Sequence, residues 1–186
     1  QTDVFTSVDW LPDGSAFICS RERVVGRWEE VRALIPADEA AKIESLAPAL
    51  QPLLEAAARM PDKVKSLEEM LNSMSGAQLK LWAAACQLAW QQSPAVIEKL
   101  LLALPEGEAK LKAVKGEGGG FHVAELCVFK LADPAKPKVL LASLTQPALV
   151  ARISPKHPVI AYLHLDGSGD NASLEVMPLD GGGSLV

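Results

Sequence analysis

Two distant stretches of this chain can be laid over each other, and their register constrains the fold more than any other feature. When "DWLPDGSAFICS" is placed over "RISPKHPVIAYL", Pro12 falls on Pro155 and Ala16, Phe17, Ile18 and Cys19 fall on Val159, Ile160, Ala161 and Tyr162, a constant offset of 143. When "LCVFKLAD" is placed over "LEVMPLDG", Leu126 falls on Leu174, Val128 on Val176 and Leu131 on Leu179, an offset of 48. The offsets differ by 95, so the first copy of a faint repeat carries an insertion of that length between its second and third strand-like segments.

Hydrophobic periodicity gives the insertion its character. Residues 4 to 20 alternate as strand material, "VFTSVDW" and "SAFICS", around the Pro-Asp-Gly chemistry of a tight turn. That predicts a hairpin. From Arg21 the period lengthens to 3.6: Val24, Trp28, Val31 and Ile35 share one helical face, and Pro36 ends the run. "ADEAAKIESLAPALQPLLEAAARM" follows, and Pro48 and Pro52, each lacking a backbone donor, are expected to break it into two helices. A helix over about 62 to 73 turns Val64, Leu67 and Leu71 inward. Ser75 with Gln78 forms a capping box before the apolar stripe Leu79, Trp82, Cys86, Ala89 and Trp90. Ser93 before Pro94 starts another helix, with Val96, Ile97, Leu100, Leu101 and Leu104 as its buried side, and residues 106 to 114 add a short last one.

"KGEGGG" (115 to 120) reads as a hinge, after which the strand period returns in "FHVAELCVFKL", "KVLLASL", "LVARIS", "PVIAYLHLD" and "ASLEVMPLD". Several of these strands are apolar on both faces, which argues for sheets covered on both sides. The expected class is α+β, with antiparallel β-propeller-like blades in 1–20 and 119–186 and an inserted α-helical bundle in 21–118. Without its insertion the repeat is 48 residues, close to the roughly 40 to 50 of a four-stranded propeller blade.

An aromatic or apolar residue, a Pro-Asp-Gly turn, an apolar strand and then a "Leu-x-Val-x-x-Leu-Asp-Gly-Gly" ending resembles the blades of TolB-like β-propellers. It stands here as "WLPDGSAFICS", "RISPKHPVIAYL" and "LEVMPLDGGG", with Lys156-His157 in place of Asp-Gly in the second copy. The resemblance implies a ring of about four to eight blades, of which fewer than two are present. The chain is therefore expected to be part of a larger propeller, or to have its edges covered by another chain.

Several functions lose support from composition. The formal charge is −5, the isoelectric point about 5.2, and no Lys/Arg cluster interleaves with aromatics, so no nucleic-acid surface is expected. "LWAAACQLAW" is half the roughly 20 residues of a membrane helix, so no transmembrane segment is expected. The insertion is nearly neutral, which removes charge steering as its task. Cys19, Cys86 and Cys127 lie far apart with no metal-ligand spacing and read as buried free thiols.

Possible sites have plain alternatives. Asp166, Ser168 and Asp170 have the opening spacing of a calcium loop, but Asn171 and Met177 stand where glycine and a bidentate glutamate belong, so a hairpin turn is the preferred reading. His122, His157 and His164 lack ligand spacing, and Ser143 and Ser154 lack a partnered base, so neither catalytic residues, nor a metal, nor a cofactor are expected. Trp82, Trp90 and Leu79 read as bundle core, with partner binding as the rival role.

The functional expectation is a non-enzymatic interaction or structural subunit of a larger assembly. Its scaffold would be propeller-like and its helical insertion would bind a partner, the partners being other protein subunits or further blades. The alternative implied by the same resemblance is the access-gating propeller of a prolyl-oligopeptidase-type serine peptidase whose catalytic domain is absent here. Gln1 in place of Met means either that a leader has been removed, which would mean export, or that the start has been trimmed; the resemblance implies an extracytoplasmic platform, so a periplasmic or otherwise extracytoplasmic location is expected.

Overall fold

The computed structural model describes residues 4–115, 120–146, 150–165 and 172–180. Residues 116–119 of the stretch 115 to 120, expected to be a hinge, and the calcium-like stretch Asp166 to Asn171 lie outside them. The class is α+β, and the chain divides into two compact units, one of residues 1–24 and 122–186 and one of 25–121. The change of period in the sequence predicts these divisions at 20/21 and 118/119.

In the β unit, β1 (Val4–Trp10) and β2 (Ala16–Val25) form the expected antiparallel hairpin. Its Pro-Asp-Gly turn places Gly14 at φ 69°, where a side chain is disfavoured. Asp13 Oδ1 accepts from the N–H of Ser15 at 2.9 Å and from its hydroxyl at 2.7 Å. After the insertion come β3 (Phe121–Lys130) and β4 (Lys138–Ser143), giving a first sheet of order β1-β2-β3-β4. β5 (Ala151–Ile153), β6 (Val159–Leu165) and β7 (Ala172–Pro178) form a second antiparallel sheet in sequence order.

One expectation fails here: Arg21 to Val25 continue the strand and do not open a helix. Alternation puts Arg21 and Arg23 on one face of β2, where their guanidinium groups meet the buried carboxylate of Glu125 on β3. That partnership outweighs the helical spacing of Val24 with Trp28. The change of period falls at Gly26, beyond which α1 (Trp28–Arg32) begins.

The repeat is visible in individual backbone bonds. The Leu11 N–H donates to Ala16 O at 2.9 Å, and at offset 143 the Ser154 N–H donates to Val159 O at 3.0 Å. Across to the third strand of each copy, Leu131 donates to Ser15 O at 3.0 Å and Leu179 to Pro158 O at 2.8 Å. The turn of the second copy is built differently. Ser154 Oγ accepts from the N–H groups of Lys156 and His157 at 3.3 and 3.2 Å, so a hydroxyl organises the turn that Asp13 and Gly14 organise in the first.

The helical unit runs through α2 (Ala37–Arg59), α3 (Pro61–Asn72), α4 (Gly76–Gln92), α5 (Pro94–Leu102) and α6 (Gly107–Lys115). α2 is one continuous helix, contrary to the expected break. Ile43, Ala47, Leu50, Leu54 and Ala57 make an uninterrupted buried stripe, while Pro48 and Pro52 both lie on the exposed side. There water can satisfy the carbonyls they leave without donors, and burial of the stripe offsets a cost of about 3 kcal/mol per proline. The Ser75/Gln78 capping box forms in both directions, Ser75 Oγ accepting from Gln78 N–H and Gln78 Oε1 accepting from Ser75 N–H. Ser93 takes the N-cap position before Pro94, but its hydroxyl makes no cap bond. Val96, expected inside, is exposed, whereas Ile97, Leu101 and Leu104 are buried as expected.

Candidate functional site

Among the described residues of the β unit, the two sheets pack on each other through one interface, and each carries exposed apolar side chains on its other face. Ala16 and Ile18 of β2 and Leu126 and Val128 of β3 pack against Ala151, Ile160, Tyr162 and Met177 of the second sheet. Asp9, paired with Ile18 and so on the same face, accepts the Ile153 N–H at 2.9 Å and pins the edge of β5 to β1. Strand alternation sends the neighbouring residues the other way. Phe17, Cys19, Cys127 and Phe129 form a separate cluster on the opposite face, with the Phe17 and Phe129 rings stacked at 5.2 Å and Trp10 tilted against Phe17 at 5.1 Å.

This face grades from charged to apolar. At one end Glu125 Oε2 accepts from Arg21 Nε at 2.8 Å and Oε1 accepts from Arg23 Nε at 2.6 Å, so a fully buried carboxylate is neutralised by two guanidinium groups. Arg21 also lies 6.0 Å from the centroid of Phe129. In the middle, burial pushes the Cys19 thiol up to about 11, the Arg21 charge acting against it, and pushes Cys127 up to about 12. Both are protonated at neutral pH and poor nucleophiles. At the far end Val8, Trp10, Phe17, Cys19 and Phe129 line a shallow groove of about 330 Å³, with Trp10 52% exposed. The open face of the second sheet is also apolar: Leu163 pairs directly with Leu174, and Leu174 is 70% exposed.

A second concavity of about 640 Å³ lies at the ends of the strands, among Leu11, Val128, Pro158, Pro178 and Leu179. Lys138 reaches across it to donate to the carbonyl of Asp180. Its lining is mostly aliphatic, with Ser15, Lys130, Lys138 and Asp180 as the polar members.

The residues singled out from sequence fall as follows. Ser143 Oγ accepts from the N–H groups of Thr145 and Gln146, both at 3.1 Å, and Ser154 is the turn organiser described above. His122 Nδ1 lies 2.8 Å from Glu22 Oε1, and His164 Nδ1 lies 2.9 Å from Gln146 Nε2. Among the described residues no three His, Cys, Asp or Glu side chains gather to hold a metal ion, and no helix is long and apolar enough to cross a membrane. Cys86 is half-buried, and burial pushes its thiol up to about 11.

On α4 the buried positions are Ala77, Ala84, Ala85, Gln87, Leu88 and Ala89, a face displaced from the expected stripe. Alanines there allow close approach to α2, which α4 packs against. Leu79 is 41% exposed, and Trp82 is half-buried one turn further on. Trp90 is tied into its own unit, with the Lys115 ammonium 5.2 Å from its ring centroid and Glu98 at 3.3 Å from that ammonium.

Strands apolar on both faces, with fewer than two blades in the chain, predict outer sheet faces left without a neighbour. The register adds which kind of face it is: offset 143 sets Phe17 on the inward-facing Ile160, and offset 48 sets Phe129 on Met177, so the first sheet carries an interface-type face on which, among the described residues, the second sheet does not lie. No family model, no curated protein and no solved structure matches this chain.

Proposed function

We propose that this chain is a non-enzymatic structural and interaction subunit, in which the two stacked sheets are propeller-like blades of the TolB-like type and the helices are a partner-binding insertion. The observation that carries the reading is the equivalence of the two sheets. Their hairpins and third strands share backbone bonds at the same offsets, and they stack through non-equivalent faces, as successive blades of a propeller do. A location outside the cytoplasm belongs to the same proposal.

The helical contribution rests on Leu79 and Trp82, which leave apolar surface on the outer side of α4 beside its alanine-rich packed face. The clusters that could have carried chemistry support a structural role. Glu125 is held by two arginines, the thiols are protonated at neutral pH, and Ser143 and Ser154 accept backbone N–H groups.

Cross-linking of the chain to its neighbours in native extracts tests this reading. One defined protein should be captured at the α4 face, and capture should drop at least tenfold on Leu79→Glu or Trp82→Glu with the fold intact by circular dichroism. Labelling of Ser143 or Ser154 by a serine-directed fluorophosphonate probe, or capture indifferent to both α4 substitutions, would sink it.

A further inference from the structure

The internal contact is head-to-tail. The second sheet uses Ile160, Tyr162 and Met177, whose equivalents in the first sheet are Phe17, Cys19 and Phe129. The first sheet uses Ala16, Ile18, Leu126 and Val128, whose equivalents in the second are Val159, Ala161, Leu174 and Val176. The contact thus consumes one face of each kind; among the described residues, the remaining face of the first sheet exposes Val8 and Trp10 beside a part-buried Phe17, with Cys19, Cys127 and Phe129 buried beneath, and that of the second exposes Leu163 and Leu174. The first sheet keeps the Phe17 type and the second keeps the Ile18 type. A contact between different patches does not exhaust itself, and it generates rings or filaments.

We propose that a second copy of this chain seats the exposed Leu163/Leu174 face of its second sheet on the Val8/Trp10/Phe17 groove of the first, on the pattern of the contact made within one molecule. This deepens the structural role proposed above and rests on its equivalence of sheets. A copy is the favoured occupant because each molecule carries both halves of the interface, and because a specific contact at the edge has a counterpart. Inside the chain Asp9 meets the backbone of Ile153. The equivalent of Asp9 on the open face of the second sheet is Arg152, exposed, and the equivalent of Ile153 on the open face of the first is Trp10. The repeated contact therefore brings Arg152, whose guanidinium donates to Ala151 O at 3.0 Å, beside Trp10, whose half-exposed indole offers a face to that cation.

Sedimentation velocity on the full chain across the micromolar range is the test, with Trp10→Glu and Leu174→Glu made separately. Both side chains are more than half exposed, so both variants should fold. The wild-type chain should form dimers and larger species with rising concentration, and each variant alone should be monomeric. An equimolar mixture of the two should form a dimer that grows no further, because each variant keeps the face its partner has lost. Val8→Glu with Leu163→Glu should repeat the pattern, and Arg152→Ala should weaken wild-type association several-fold. A wild-type chain monomeric throughout, or a dimer that the mixed variants fail to restore, overturns the proposal. Leu79→Glu should leave self-association unchanged, so a failure here is separable from a failure of partner capture at α4.

Discussion

Arg21 and Glu125, 104 residues apart in sequence, are joined by a hydrogen bond of 2.8 Å from Nε to Oε2 at the point where β2 and β3 meet on either side of the helical insertion. Arg23 takes the other carboxylate oxygen. A buried carboxylate costs free energy unless its charge is matched, and here both partners come from the strand that precedes the insertion. Glu125→Ala leaves two guanidinium groups without their anion in a partly buried place and should lower stability by about 3–5 kcal/mol in a denaturant titration. A loss under about 1 kcal/mol would mean that water already solvates the cluster.

The thiols give the chain an alkaline limit. The folded-state values of Cys19 and Cys127 are raised above the ordinary 9.0, to about 11 and about 12. The unfolded chain therefore ionises first as pH rises. Their contribution to stability is fully present below about pH 9 and is lost progressively from there up to about pH 12. The denaturation midpoint should be unaffected by these groups from pH 6 to 8 and should fall above 9, and substitution of both cysteines by alanine should flatten that fall. In native buffer at pH 7.5 both thiols should resist iodoacetamide for hours and react on unfolding.

Pro48 and Pro52 are both exposed on an unbroken α2. Replacing either by alanine restores a helical donor, and part of the gain is returned because the unfolded chain becomes freer. Each substitution should raise stability by about 1–3 kcal/mol, additively to within about 0.5. Thermal melts of the single and double variants check this, and an unchanged melting temperature would mean that the prolines shape a bend the bundle needs.

Gly107 opens α6 where the chain turns back from α5. A Cβ there would stand 2.5 Å from Leu101 O and 2.7 Å from Leu102 Cα, both backbone atoms with little room to give. Gly107→Ala should therefore destabilise the protein by about 1–3 kcal/mol, although alanine is the better helix former. Gly76→Ala, where a Cβ meets nothing, serves as the control and should not destabilise.

Much of this fold is legible in local chemistry. Pro12-Asp13-Gly14 dictates a hairpin because only a few residue types tolerate the turn's backbone, and Ser75 with Gln78 dictates a helix start because their side chains satisfy each other's free donors. The register of the two copies also follows from sequence, and with it which strand residues share a face, since side chains alternate with a period of two. Other outcomes depend on partners brought from far along the chain. Arg21 to Val25 stay a strand because Glu125 arrives beside them, and α2 passes through two prolines because the stripe from Ile43 to Ala57 is buried on the side they do not occupy. α4 turns Ala84, Ala85 and Leu88 inward and leaves Leu79 outside because close helix packing favours small residues over the longest apolar stripe. Periodicity, turn chemistry and capping act within a few residues and are written locally. Burial and charge pairing act between residues up to a hundred or more positions apart, and only the folded chain brings those together.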